Sequence, residues 1–343
     1  EGGFTLTELL SEIENNNQEI LAGKKRLDSQ ISEVKKSYAS FYPEVSVQGG
    51  PYSSKNLAES EAGTLIYGKA QWNVYNGGVN QQEIKKAELI KTLEEKRFEK
   101  IKSKVLREGS RSYYELLFIL ESISLKETAI KLNQEQMALA KVKRSSGFTS
   151  SSDVIEFDLR GATLSSDLIL LTKEMREHSQ ELSVLLGRKE GSSNIVVKGH
   201  ILRNDKPLDK EHIKNLVLQR NFDLDESRSQ LEISSIEREI ARSGFFPKIN
   251  FDVKFGKIEQ ERAKSGSGDF SAMLTFSLPL FSGFSSVNSV AVQRDIVESR
   301  QYEVSHRELS VRSNLENVFT EIDTLVERLN LEEKNLVRSE EYY

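Results

Sequence analysis

The sequence contains itself twice. Phe41-Tyr42-Pro43-Glu44-Val45-Ser46-Val47 returns as Phe245-Phe246-Pro247-Lys248-Ile249-Asn250-Phe251, and Trp72-Asn73-Val74-Tyr75-Asn76-Gly77 returns as Leu278-Pro279-Leu280-Phe281-Ser282-Gly283. Self-similarity at one offset, here about 205 residues, constrains the architecture before any local reading. Each half reads helix, aromatic-Pro, strand, polar loop, strand, Gly, long helix. The expected first repeat, 1–204, holds a helix, a β-hairpin over 43–76 and a helical hairpin over 78–187; an equatorial segment over 188–211 joins it to the next. The second repeat, 205–343, holds a helix, a β-hairpin over 247–281 and a long helix from about 287. By the repeat offset, this last helix is expected to stop short of its helical tip and its returning partner.

Within the hairpins the period is two, and the two faces differ in chemistry. Ile249, Phe251, Val253 and Phe255 alternate with Lys248, Asn250, Asp252 and Lys254. Ala272, Leu274, Phe276, Leu278 and Leu280 alternate with Ser271, Met273, Thr275, Ser277 and Pro279. The first half repeats this more weakly: Ile66, Ala70, Trp72 and Val74 oppose Lys69, Gln71 and Asn73. Such strands suit a membrane barrel, with lipid on one side and water on the other, and equally a soluble sandwich. Context favours the barrel. The flanking helices are too long to cover a small sheet, and Tyr42, Trp72, Tyr75, Phe246 and Phe281 sit at strand ends, where an aromatic girdle belongs. On this reading Lys69, Gln71, Asn73, Lys248, Asn250, Asp252 and Lys254 line a wet lumen, where their charges bias ion passage.

Between the hairpins, 78–146 has no Pro and only Gly109 as a weak point, which predicts a rod of roughly 100 Å at about 1.5 Å per residue. After a Ser- and Gly-containing turn around Gly147, the residues Val154, Phe157, Gly161, Leu164, Leu168, Leu171, Met175, His178, Leu182 and Leu185 step by three and four. This is a heptad seam, and it implies left-handed supercoiling against neighbours. Ile155, Leu159, Ala162, Ile169 and Leu186 form a second apolar set, expected if the helix has partners on two sides. Ser or Asp is expected to cap this helix. Further helices are predicted up to about Ser40, opened by a Thr5/Glu8 capping box, and from about His212 to Arg242.

Composition narrows function by exclusion. Charged residues make up 29% and the net charge is −5, so no basic field exists to attract nucleic acid. There is no cysteine, which removes thiolate catalysis and Cys-ligated zinc. Apolar runs such as 116–120 are far shorter than the roughly 18 residues of a spanning helix, so any membrane crossing must use strands. No charged and apolar leader opens the chain at Glu1, so an export signal is expected to have been removed or never present. His178, His200, His212 and His306 are scattered without ligand spacing, and no P-loop, nucleophile elbow or dinucleotide fingerprint appears. Neither an enzyme nor a cofactor is expected.

Four strands cannot close a barrel, since about eight are needed to leave no open edge in lipid. A membrane sheet of this kind requires several copies of the chain, and three would give about twelve strands. At this point the residues resemble a known family. The aromatic-Pro strand starts, the Gly77-Gly78 exit into a very long helix, the Gly147 to Asp153-Val154 turn, the Leu185-Leu186-Gly187 ending and the twofold repetition together look like the TolC-like outer-membrane efflux proteins. The likeness covers nearly the whole chain and departs where Asn15-Asn16-Asn17-Gln18 replaces the family's Asn-Pro. It implies a mainly α fold with membrane β-hairpins: a homotrimer whose 12-stranded β-barrel, in outer-membrane lipid, continues as a periplasmic α-helical barrel. It implies docking on a periplasmic adaptor (membrane fusion) protein and an inner-membrane transporter of RND or ABC type. The expected role is a passive exit duct for efflux or type I secretion, with drug, metal or protein specificity set by the pump. It also implies that Asp153, preceded by Ser152, holds the periplasmic aperture near Gly147 closed; a plain helix cap is the alternative for Asp153. The competing reading of the whole chain is a soluble periplasmic coiled-coil adaptor.

Overall fold

The computed structural model describes residues 3–55, 60–146, 150–188, 195–201, 208–260 and 268–342. The chain divides into two compact units, one from Glu1–Arg26 and Arg97–Pro207, the other from Leu27–Lys96 and Leu208–Tyr343.

In the first unit, α1 (Leu6–Asn16) begins at the predicted capping box. The Thr5 hydroxyl accepts from the Glu8 amide, and the Glu8 carboxylate accepts from the Thr5 amide at 2.9 Å. These hydrogen bonds, the backbone one first, hold the Glu8 carboxyl below its ordinary pKa. The single helix expected up to Ser40 is in fact two, because Asn17 leaves helical geometry (φ −64°, ψ 127°) before α2 (Gln18–Ser37). Helical periodicity passes unbroken through a one-residue interruption, so the pattern did not reveal it. Helix α3 (Val79–Ser145), whose residues up to Lys96 belong to the second unit, runs 67 residues, roughly 100 Å, as its lack of Pro predicts. Helix α4 (Ser151–Leu185) packs beside the lower part of α3 through its heptad seam, every member of which is buried or half-buried. Lys126 and Asp167 pair across this seam at 2.7 Å, and the Asn133 amide donates to the Phe157 carbonyl at 2.9 Å.

The end of α4 meets the core of this unit. Gly187 adopts φ +68°, its amide donates to the Val184 carbonyl, and a Cβ at this position would fall on the Asn16 carbonyl oxygen. Only glycine closes the helix in that space. Leu9, Ile13, Val105, Leu116, Leu182 and Leu186 form the core with Ile195 and Val197 of the equatorial segment. Phe4 pairs with Val197 in a short parallel bridge, and the Tyr113 hydroxyl donates to the Lys198 carbonyl at 2.7 Å.

In the second unit, α5 (Lys210–Arg220) and α6 (Phe222–Arg242) also replace one predicted helix. Asn221 interrupts it, and its side chain caps α6 by accepting from the Leu224 amide. Asn17 and Asn221 stand 204 residues apart, close to the offset of the sequence repeat. Single 3-10 turns after α2 and α6 lead through Pro43 and Pro247 into β1 (Glu44–Lys55) and β3 (Lys248–Gln260). Strands β2 (Ser60–Asn76) and β4 (Gly268–Ser277) complete the hairpins. The second hairpin was expected to reach 281, but β4 ends at Ser277, two residues before Pro279, which has no amide to offer a ladder. Both strand-to-helix turns carry two consecutive residues at positive φ: Gly77 (71°) and Gly78 (87°), then Gly283 (61°) and Phe284 (65°). Helix α7 (Ser285–Tyr342) follows the second turn and packs along α5 and α6, with Lys210–Asp323 and Lys214–Glu316 ion pairs at 2.7 Å. Among the described residues no helix is long and apolar enough to cross a membrane.

Candidate functional site

The four strands form one antiparallel sheet in the order β1-β2-β3-β4, so the two hairpins join through β2 and β3. Residues directly opposite in an antiparallel pair share a face, and reading the register across all four strands therefore sorts the sheet into rows. One face carries Glu44–Gln71–Asp252–Met273, Ser46–Lys69–Lys254–Ser271, Asn73–Asn250–Thr275 and Asn76–Lys248–Ser277. The other carries Val45–Ala70–Val253–Ala272, Val47–Gly68–Phe255–Phe270, Trp72–Phe251–Leu274 and Tyr75–Ile249–Phe276. All seven residues expected to line a wet lumen thus fall on one face of one sheet.

The polar face is internally bonded. The Gln71 amide donates to Asp252 at 2.8 Å, and the Tyr67 hydroxyl donates to Gln48. The apolar face has no covering layer among the described residues: Val47 is 77% exposed, Phe270 72% and Leu274 67%. A soluble sheet buries its apolar face, and a contiguous exposed one marks a partner or a membrane. The sheet order also leaves the outer edges of β1 and β4 without a strand neighbour among the described residues. Open edges are stable in lipid only when other strands complete them.

The five girdle candidates gather at the helix-proximal end of the sheet, and all are exposed. Tyr42 and Phe246 precede β1 and β3, and Phe281 follows β4, packed edge-to-face on Phe284 with ring centroids 5.6 Å apart. Trp72 donates its indole N–H to the Phe41 carbonyl at 2.9 Å. Simple alternation would put Tyr75 on the polar face with Asn73, but a register shift between these residues brings it opposite Ile249 on the apolar face. The signal available in the sequence was Val74-Tyr75, two large apolar residues in succession beside a polar run.

The gate candidates divide differently. Gly147 lies outside the described residues. The cap of α4 is Ser150, whose hydroxyl accepts from the Ser152 amide at 3.0 Å. Asp153 stands in the first turn, where its negative charge suits the positive end of the helix dipole. Both Ser152 and Asp153 therefore sit at the start of α4, neither as its cap.

Two apolar stripes remain open on the long helices. Ile155, Leu159, Ala162 and Ile169 of the second set on α4 are exposed, whereas Leu186 is buried in the core. On α3, Phe118, Leu125, Leu132 and Leu139 are exposed at intervals of seven residues, a stripe the sequence reading missed although its heptad spacing was visible. His178 lies on the seam between Glu115 (3.6 Å) and Glu181 (3.0 Å). Among the described residues no group of His, Cys, Asp or Glu is placed to hold a metal ion.

A family model described as outer membrane efflux protein matches residues 9–188 and 214–343. The fold is similar to that of the outer membrane protein VceC from Vibrio cholerae, at TM-score 0.77 and 13% identity over 95% of this chain and 80% of that one. It is also similar to CusC, at 0.73 and 15% over 91% and 73%, and to the Campylobacter jejuni CmeC outer membrane channel, at 0.73 and 12% over 89% and 68%. At such identities these likenesses establish the fold alone. Among curated proteins, none matches the sequence.

Proposed function

Because the chain belongs to the outer membrane efflux protein family, a TolC-like family of outer-membrane channels that extend into the periplasm, we propose that it is the exit duct of a tripartite efflux or type I secretion assembly. Three copies of the four-stranded sheet close a barrel of about twelve strands, its apolar rows on lipid and its polar rows around water. The observation that carries this reading is the sheet itself, whose chemistry divides between faces while, among the described residues, both outer edges lack partners.

The exposed heptad stripe of α3 and the second set of α4 are the contacts through which the helices of neighbouring copies form the α-barrel. The division into repeats 1–204 and 205–343 is supported by the paired asparagine breaks and by the matching left-handed turns. Substrate passes by diffusion, and no residue performs a chemical step. The driving force comes from an inner-membrane transporter of RND or ABC type, reached through a periplasmic adaptor. Ser152 and Asp153, with Gly147, form the closing end, where untwisting of the α3–α4 hairpin opens the duct.

The complete protein, purified in detergent, is expected to run as a trimer and to give discrete conductance in planar bilayers. Asp153→Ala is expected to open more often or more widely. A monomer that stays folded in detergent-free buffer would instead establish the soluble adaptor reading, and unchanged conductance in the variant would remove Asp153 from the gate.

A further inference from the structure

We propose that Lys69 and Lys254 form a binding site for anionic groups of the phosphate or carboxylate class on the polar face of the sheet. As a site inside a channel, it rests on the reading of that face as a lumen.

The two lysines come from different hairpins and stand directly opposite each other across the β2–β3 pairing. Their row is completed by Ser46 on β1 and Ser271 on β4, so it carries two positive charges, two hydroxyls and no carboxylate. Like charges directly opposite in a sheet destabilise it, and a polar surface needs no such arrangement merely to be hydrated.

The acids nearest in register do not relieve the repulsion. Asp252 accepts from Gln71 in the next row, Glu44 stands opposite Gln71, Asp269 stands opposite Gly256 in the row on the other side, and among the described residues neither lysine forms an ion pair. Lys254 is exposed and Lys69 half-buried. An ammonium is a compact charge with three donors, suited to a phosphate oxygen or carboxylate as a point contact. In a closed barrel every copy adds its two lysines at the same level, and low-dielectric walls concentrate their field. Acidic residues stand in the rows on both sides of the lysine row, Glu44 and Asp252 on one and Asp269 on the other, which favours multivalent anions, able to engage several lysines at once, over chloride.

The test uses the complete detergent-solubilised protein, the charge-neutral double variant Lys69→Gln/Lys254→Gln and the charge-retaining Lys69→Arg/Lys254→Arg. Inorganic tripolyphosphate is expected to raise the Tm of the unsubstituted protein and of the arginine variant by about 2 °C or more beyond sodium chloride of equal ionic strength, and not that of the glutamine variant. In bilayers under a potassium chloride gradient, the glutamine variant's reversal potential is expected to shift toward cation preference. An equal tripolyphosphate response in all three proteins, or an unmoved reversal potential, overturns the site. A protein that shows the tripolyphosphate difference but never conducts retains the lysine site and overturns the channel reading.

Discussion

Asn17 makes a prediction whose size follows from its bonds. It is 5% exposed, its side-chain oxygen accepts from the Glu19 and Ile20 amides at 2.9 and 3.1 Å, and its amide donates to the Leu185 carbonyl at 2.9 Å. One side chain thus caps α2 and ties the end of α4 to the break between α1 and α2. Asn17→Ala removes the cap, about 1 kcal/mol, and leaves a part-buried carbonyl without its partner, about 1–3 kcal/mol. The expected loss is about 2–4 kcal/mol. Asn221→Ala, at the corresponding break, removes one bond, to the Leu224 amide at 3.0 Å, and is expected to cost only about 1 kcal/mol. Asn17→Ser retains a capping oxygen but is too short to reach Leu185, and should fall between the two. Large membrane proteins often unfold irreversibly, so native-state hydrogen exchange is the suitable assay. Protection of the Ile20 amide is expected to fall roughly 30- to 1000-fold in Asn17→Ala, since each 1.4 kcal/mol is about a factor of ten. The loss at the Leu224 amide in Asn221→Ala should be roughly fivefold. Equal losses in the two variants would refute a bridging role for Asn17.

Adjacent residues on β4 test the two faces. Leu274→Arg puts a charge on the apolar row and is expected to destabilise the membrane-folded protein by about 2–4 kcal/mol in a urea titration, whereas Met273→Arg, opposite Asp252, should change it by less than about 1 kcal/mol; the reverse order would mean that the faces are inverted. At the strand-to-helix turns, Gly283→Ala has no atom within 4 Å and bears only left-handed strain, about 1–2 kcal/mol. Gly77→Ala bears the same strain and also meets the Ser243 carbonyl and Phe246 Cβ at 2.9 Å, so its thermal midpoint in detergent should drop distinctly further.

What the sequence disclosed was local. The capping box of Thr5 and Glu8, the long Pro-free rod of α3 and the two-faced strands depend on neighbours a few positions apart, and each formed where expected except the end of β4, which stops at Ser277. What it concealed was either a one-residue interruption or a pairing distant in sequence. Asn17 and Asn221 break helices without disturbing their apolar period, so only the appearance of asparagine in each helix hinted at them. The shift beyond Asn73 moves Tyr75 to the opposite face against the alternation that identified the strand. Each hairpin was legible alone, but nothing within either one says that β2 lies beside β3, and the facing of Lys69 and Lys254 exists only in that junction.

The junction also explains how its register is held. A one-residue slip would turn every side chain of one hairpin to the wrong face relative to the other. Two glycine–aromatic crossings prevent this, one on each side of the sheet. On the apolar face the Phe255 ring lies over Gly68, where a Cβ would come within 2.5 Å of it; on the polar face Tyr67 lies against Gly256, where a Cβ would come within 2.5 Å of Tyr67 Cβ. Slipping the strands by one position brings the Phe255 ring, and the closely approaching Ile66–Tyr67 segment, onto residues that have side chains. The placement of two glycines therefore favours one pairing between the hairpins within one chain, and among the described residues the outer edges of β1 and β4 have no strand neighbour.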